Sequence, residues 1–344
     1  MVLDVPIRMR TVPRIAHSLC SFFVKSFQRR EIRPKYVPSV VYLEICRSCN
    51  LNCPMCLRRV LPSSELSGNM DLDTAKNIIN NLGKVVGIGL SGWGEPLLHP
   101  QIIDLLRYIS EKGILISFDT NGVLLKDYAR ELVKIKTLYH IGLSIDFISK
   151  EVKHTHTLIT SLEGLKAILD EKRKICRRYP HLRVTMTVMK CNVAEIPRIV
   201  MEIAKYGCKW FDCHLVIVFD KTLPEEYKRP DINEFVRYFN EAKKIGREKG
   251  IKVTYERKER VMLEDKGVTI CNEPWKAPFI DYKGMVHPCC FYLTKKLGDA
   301  RTQLISEIWR GELYMDFRRQ LLHKEEPFCR NCMEGMMYLN FYRR

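Results

Sequence analysis

Val40-Val-Tyr-Leu-Glu-Ile45 leads directly into Cys46-Arg-Ser-Cys49-Asn-Leu-Asn-Cys53-Pro-Met-Cys56. The first six residues, rich in β-branched and apolar side chains, read as a strand. The last eight place three cysteines in the spacing C-x3-C-x2-C on the loop that follows it. Thiolates are the usual ligands of iron–sulfur clusters, and a four-iron cluster takes four of them. Three local thiolates leave one iron open to bind a small molecule, as a catalytic metal keeps a position that a structural one closes. Two plainer readings stand beside this one: a zinc site completed by Cys46, or three unrelated buried thiols.

Outward from this loop the chain repeats a simple unit. Apolar runs at Val86 to Ser91, Ile114 to Asp119, Tyr139 to Asp146, Arg183 to Met189 and Phe211 to Phe219 follow the first strand. Helix-length segments such as Asp73 to Leu82, Ile102 to Lys112 and Leu162 to Arg178 separate them. Strands alternating with helices predict parallel βα units with right-handed crossovers. The fold class expected is α/β: a partial (β/α)6 TIM-like barrel over residues 38–220, with functional residues where strands end. A connecting helix, Ile232 to Lys249, and a further strand at Ile251 to Tyr255 fill residues 221–260, and a small C-terminal α+β domain fills 261–344. Residues 1–37 form a basic N-terminal extension.

Ser91-Gly-Trp-Gly-Glu-Pro96 follows the second strand. Together with the three-cysteine loop after the first, it resembles the radical S-adenosylmethionine (radical SAM) superfamily. The resemblance implies that Cys49, Cys53 and Cys56 hold a [4Fe-4S] cluster whose open iron is chelated by S-adenosylmethionine. An electron from the cluster would then cleave the sulfonium to a 5′-deoxyadenosyl radical that takes hydrogen from a substrate. It further implies that Gly92, Gly94, Glu95 and Pro96 meet the methionine amino group, with glycines admitting close backbone approach. Thr120, Asn121, Ser144, Asp146 and Asn192 stand at family positions near the ribose and carboxylate. Met55 occupies the place beside the adenine where an aromatic residue is common, and its polarizable thioether suits the role.

A second set, Cys271, Cys289 and Cys329-Arg-Asn-Cys332, resembles the start of a SPASM domain and, more closely, its shortened relative, the twitch domain, as in 2-deoxy-scyllo-inosamine dehydrogenase. Four thiolates close one cluster, so these residues are expected to hold a single auxiliary [4Fe-4S] cluster with Cys290 as the substitute for Cys289. A structural zinc on the same four is the alternative. Cys20, Cys46, Cys176, Cys191, Cys208 and Cys213 read as packing groups. His154 and His156 read as a surface or loop pair, and Asp212 with His214 shares one face of the sixth strand.

Composition bounds the rest. The chain has 344 residues, 46% hydrophobic and 28% charged, with 14 cysteines and a net charge of +17. No run of eighteen apolar residues appears, so no membrane-spanning helix is expected. No signal peptide precedes the cysteines, so reduced thiols and a cytoplasmic location are expected. Thr11 to Gln28 reads as a basic amphipathic helix with the stripe Val12, Ile15, Ala16, Leu19, Phe22 and Phe23. It suits packing onto the protein or peripheral attachment at the inner face of an anionic membrane. The single auxiliary site favours radical modification of a small polar, carbohydrate-like or lipid-linked molecule with net oxidation. A reduced ferredoxin- or flavodoxin-like donor is the expected electron source. Peptide maturation is the first alternative, set back because about forty residues before the first strand are few for a leader-binding domain. Modification of a lipid at the membrane is the second. A zinc-containing nucleic-acid-binding module, with the charge as its footprint, is the most distant.

Overall fold

The computed structural model describes residues 31–148, 158–218, 222–255, 262–265, 268–330 and 332. The N-terminal helix expected at Thr11 to Gln28, and His154 with His156, lie outside them. Seven strands run in parallel in chain order: β1 (Val40–Leu43), β2 (Gly87–Leu90), β3 (Leu115–Thr120), β4 (Leu138–Ser144), β5 (His181–Val188), β6 (Trp210–Leu215) and β7 (Lys252–Tyr255). Helices α1 (Leu72–Asn81), α2 (Ile102–Glu111), α3 (Leu125–Leu132), α4 (Leu158–Lys174), α5 (Ile196–Lys205) and α6 (Ile232–Lys249) fill the crossovers. This is the partial parallel barrel expected, with β7 as a seventh strand.

Local signals set these elements. Asp71 caps α1 by accepting from the Thr74 amide at 2.8 Å, and Asp231 caps α6 by accepting from the Asn233 and Glu234 amides. Such caps satisfy amides that have no partner inside the helix. Gly250, at φ +67°, ends α6 in the left-handed conformation that favours glycine.

β1, β3 and β5 alternate in burial, unlike the strands of a parallel sheet covered on both faces. In β5, Leu182, Val184, Met186 and Val188 are buried against the helices, while His181, Arg183, Thr185 and Thr187 are half-buried on the other face. In β1, Val41 and Leu43 are fully buried while Val40 and Tyr42 are 37% and 39% exposed. One face of the sheet is therefore the dry core, and the other is a partly open, largely polar lumen.

The sheet also continues past β1. After the hairpin β8 (Met262–Asp265) and β9 (Val268–Cys271), the strands β10 (Phe279–Ile280), β11 (Met285–His287) and β12 (Gly298–Asp299) extend it in the order β12-β11-β10-β1. β10 pairs in parallel with β1 through Tyr42 opposite Phe279 and Leu43 opposite Ile280. A boundary near residue 260 is thus crossed by backbone hydrogen bonds, which bring the C-terminal segment beside the three-cysteine loop. Near the C-terminus two helices follow, α7 (Ile305–Arg310) and α8 (Glu312–Leu322), parted at Gly311.

Candidate active site

The C-terminal ends of the parallel strands surround a cavity of about 350 Å³, a size typical of a small-molecule site. Cys49, Cys53, Met55 and Cys56 line it from the loop after β1, and Gly92 through Pro96 from the loop after β2. Asp119, Thr120 and Asn121 come from the end of β3, Ser144 and Asp146 from β4, Thr187 from β5, and His214 from β6. Residues scattered over some 165 positions of sequence therefore meet because each follows or ends a strand of one parallel sheet.

Each loop is pinned to its neighbour. Glu95 is 2% exposed, and its carboxylate accepts from Thr120 Oγ1 at 2.8 Å, the Asn121 amide at 2.8 Å and the Leu97 amide at 3.1 Å. Its own amide donates to the Ser48 carbonyl at 2.8 Å. The Glu95 side chain thus locks the β2 and β3 loops together. Asn121 Nδ2 donates to Asn50 Oδ1 at 2.7 Å and approaches Cys49 Sγ at 3.9 Å. The Leu51 amide lies 3.5 Å from the same sulfur.

Gly92 and Gly94 serve packing more than ligand approach. A Cβ on Gly94 would lie 2.3 Å from the Cys46 carbonyl oxygen, and one on Gly92 would lie 2.4 Å from Glu44 Cγ. The loop therefore presses against the backbone that carries the cysteines.

Beneath it lies a buried ion pair that sequence reading missed. Glu44 is 0% and Arg47 2% exposed, joined by Arg47 Nε to Glu44 Oε1 at 2.8 Å and Nη2 to Oε2 at 2.5 Å. Glu44 Oε1 also accepts from the Trp93 amide at 2.7 Å, and the Arg47 guanidinium stacks 4.9 Å from the Tyr282 ring centre. Breaking such a pair leaves an uncompensated buried charge and costs about 3–5 kcal/mol. Arg47→Met is accordingly expected to destabilise the protein by about that much in anaerobic urea denaturation. Adding Glu44→Gln to it should restore part of the loss, because the remaining charge is then removed.

Among the residues expected near the cofactor, Asn192 stands apart. It is fully buried and does not line the cavity. Its amide group donates to the Asp146 and Thr187 carbonyls, each at 2.9 Å, and its carbonyl accepts from the Met189 amide at 2.7 Å. It braces the ends of β4 and β5 from behind. Asp212 likewise misses the cavity and pairs with Arg183 at 3.7 Å, whereas His214 reaches it and lies 3.2 Å from Thr187 Oγ1.

The donor sets fit the implied clusters. Cys46 does not line the cavity, donates to the Ser48 carbonyl at 3.5 Å, and has its thiol pushed up to about 11 by burial. It stays a packing thiol, which leaves the loop with three donors. In the C-terminal set, burial first and then the charges of neighbouring thiols raise Cys271, Cys289 and Cys329, and all three feel Cys332. Thiols so placed favour the thiolate form only when a positive metal centre joins them. Cys290, with Phe291, instead lines the cavity, and the Cys290 carbonyl accepts from Trp93 Nε1 at 2.6 Å.

Residues 43–183 match the Radical SAM superfamily, and residues 271–333 match the SPASM iron-sulfur cluster-binding domain. The chain carries a radical SAM domain joined to a SPASM domain. These domains imply a [4Fe-4S] cluster, S-adenosylmethionine and an auxiliary iron–sulfur cluster. The chain is 26% identical to the tungsten-containing aldehyde ferredoxin oxidoreductase cofactor-modifying protein of Pyrococcus furiosus, covering 85% of this chain and 86% of that one. It is 28% identical to the AdoMet-dependent heme synthase of Methanosarcina barkeri, over 80% of this chain and 82% of that one. In fold it is similar to SuiB of Streptococcus suis bound to the precursor peptide SuiA, at TM-score 0.65 and 16% identity, covering 82% of this chain and 67% of that one. Among the described residues no helix of this radical SAM enzyme is long and apolar enough to cross a membrane.

Proposed function

We propose that this radical SAM enzyme abstracts hydrogen from a small polar molecule and releases it oxidised by two electrons. One observation carries the reading: a single cavity is bordered by Cys49, Cys53 and Cys56 on one side and by Cys290 and Phe291, beside Cys289, on the other. When bound, an open-iron cluster on the first set with S-adenosylmethionine supplies a 5′-deoxyadenosyl radical that takes one hydrogen atom, and a closed cluster on the second supplies a one-electron acceptor. The substrate then loses one hydrogen atom, one electron and one proton in total.

The chain's own residues supply the surroundings. The loop from Gly92 to Pro96 and Asn121 border the cofactor side, while Met55 offers an apolar face. Asp119, Asp146, Thr187 and His214 offer hydrogen-bond partners to a hydroxylated or aminated substrate, and the Thr187–His214 pair can take up the proton. Trp93 and Phe291 add aromatic surface to the cavity lining, which favours exclusion of water from a radical. The names of the two relatives above describe work on cofactors, which supports a small-molecule substrate over a chain-like one. A ferredoxin- or flavodoxin-like protein is the donor this chemistry needs.

The reading is tested with anaerobic, reduced enzyme that binds about eight irons, four per cluster. Candidate cofactor precursors and sugars carrying deuterium are incubated beside short peptides of the kind SuiB holds. Deuterium in 5′-deoxyadenosine with a product about three mass units lighter than the labelled substrate (one deuterium and one proton lost), from the small molecules alone, is the expected result. Label transfer from peptides alone overturns the substrate class, and redox-neutral turnover overturns the oxidation.

A further inference from the structure

The segment just before β1 lies outside both matched domains, yet the C-terminal one holds it along its length. Trp275 Nε1 donates to the Glu31 carbonyl at 2.9 Å, and Arg318 Nη1 donates to that of Ile32 at 3.4 Å. Arg310 Nε donates to the Pro34 carbonyl at 3.3 Å, and its Nη2 donates to that of Lys35. In return the Tyr36 hydroxyl donates to the Trp275 carbonyl at 2.7 Å. These partners stand 239 to 286 positions apart in sequence. Residues 31–36 are thus a strap laid across the turn Glu273–Trp275 and the helices α7 and α8.

Beneath the strap lies the second cysteine set. Trp275 is 4% exposed and Leu321 0%, and the two form a small apolar cluster on which Cys271 and Cys329 pack. Trp275 is bonded to the strap at both its indole N–H and its carbonyl, so the strap fixes where this cluster stands. Arg318, which holds Ile32, also donates through Nε to the Pro274 carbonyl at 3.1 Å and so grips the same turn. The order from inside outward is cysteines, then Trp275 with Leu321, then the strap. An apolar shell controls how far solvent reaches a metal site, and solvent exposure is one of the levers on an iron–sulfur cluster.

We propose that residues 31–36, acting through Trp275, are an outer wall of the auxiliary cluster site and hold water and dioxygen away from the cluster. The site then includes a segment from outside both matched domains. The proposal rests on a cluster held by Cys271, Cys289, Cys329 and Cys332.

The test uses the full chain with Cys49, Cys53 and Cys56 replaced by alanine, so that only the auxiliary cluster is loaded. Two rates are followed: trypsin cleavage after the exposed Lys35, without oxygen, and bleaching of the cluster's visible absorbance in air. Arg310→Met removes two hydrogen bonds made by a charged donor, and Tyr36→Phe removes one made by a hydroxyl; neither residue belongs to the apolar cluster on which the cysteines pack. The open population of the strap should rise about tenfold in Arg310→Met and about threefold in Tyr36→Phe. Cleavage and bleaching should both accelerate by those factors, since each tracks the open population when opening is fast. Arg319→Met, which loses only a surface pair with Asp316, should keep both rates at the parent value. Faster cleavage with unchanged bleaching overturns the proposal, as does unchanged cleavage in both strap variants. If Arg310→Met takes up no iron, Tyr36→Phe decides: loading with faster bleaching supports the wall, and parent-like bleaching or failure to load overturns it. A parent protein that binds no iron at all refutes the four-cysteine site itself, a result separate from any effect of the strap.

Discussion

Alanine at Cys49, Cys53 or Cys56 is expected to end production of 5′-deoxyadenosine, whichever of the three is changed. The three sulfurs act as one unit, so a single loss should cost about as much as losing all three. The fall should exceed about 100-fold, the upper end for removing a residue that merely supports a metal ligand. Cys46→Ala is the control, because this thiol is buried behind the loop and outside the cavity. It should retain iron and most of the activity at a modest cost in stability. Chromatography of the nucleoside products from reduced protein separates the two outcomes. Activity that survives in Cys53→Ala and disappears in Cys46→Ala would reassign the ligands.

Gly94→Ala is expected to have the next largest effect, although it adds one methyl group. That methyl would sit 2.3 Å from the Cys46 carbonyl oxygen and 2.6 Å from both the Arg47 carbonyl carbon and the Ser48 carbonyl oxygen. No side-chain rotation relieves a clash with backbone, so the Gly-Glu-Pro loop and the cysteine loop must move apart. Overpacking of this kind costs about 1–3 kcal/mol or more. Separation would also pull Glu95 from Thr120 and Asn121, disturbing both walls of the cofactor side at once. Loss of S-adenosylmethionine cleavage by at least about tenfold, with a lower melting temperature, is the expected result. Gly87→Ala is the matched control, since its added carbon would meet its nearest neighbour at an ordinary 3.7 Å. Equal behaviour of the two variants would contradict the packing account.

The barrel was legible because its signals are local and repeated. Val40 to Ile45, Ile114 to Asp119 and Ile232 to Lys249 each carry an apolar pattern long enough to specify an element, and the structure places all three within two or three residues of the reading. The C-terminal strands were not legible. β10 has two residues and β11 three, too few for any periodicity, and only the pairing of β10 with β1 and of β11 with β10 and β12 makes them strands. Gly311 parts α7 from α8, ending one helix and starting the next, a break that the apolar pattern on either side does not record.

The site divides in the same way. Cys49, Cys53, Cys56 and the Gly-Glu-Pro loop announce themselves by spacing, and their strand-end positions follow from the alternating pattern. Asn192 shows the limit of such reading, because a polar residue after a strand can face the cavity or brace it from behind, and its hydrogen bonds to the Asp146 and Thr187 carbonyls become visible only in the fold. Glu44 and Arg47 gave no signal, since charged residues in apolar surroundings read as surface until the packing is known. Trp93 and Cys290 were named for other reasons. Their hydrogen bond, which ties the SPASM segment to the cavity, joins residues 197 positions apart.

The vacancy left by three thiolates can be examined without knowing the substrate. Electron paramagnetic resonance of the reduced protein is recorded with S-adenosylmethionine isotopically labelled at its methionine amino nitrogen. Hyperfine coupling of that nucleus to the cluster spin, absent when Cys56 is alanine, is the result this structure predicts. A fully loaded, reduced protein whose spectrum ignores the label would contradict it.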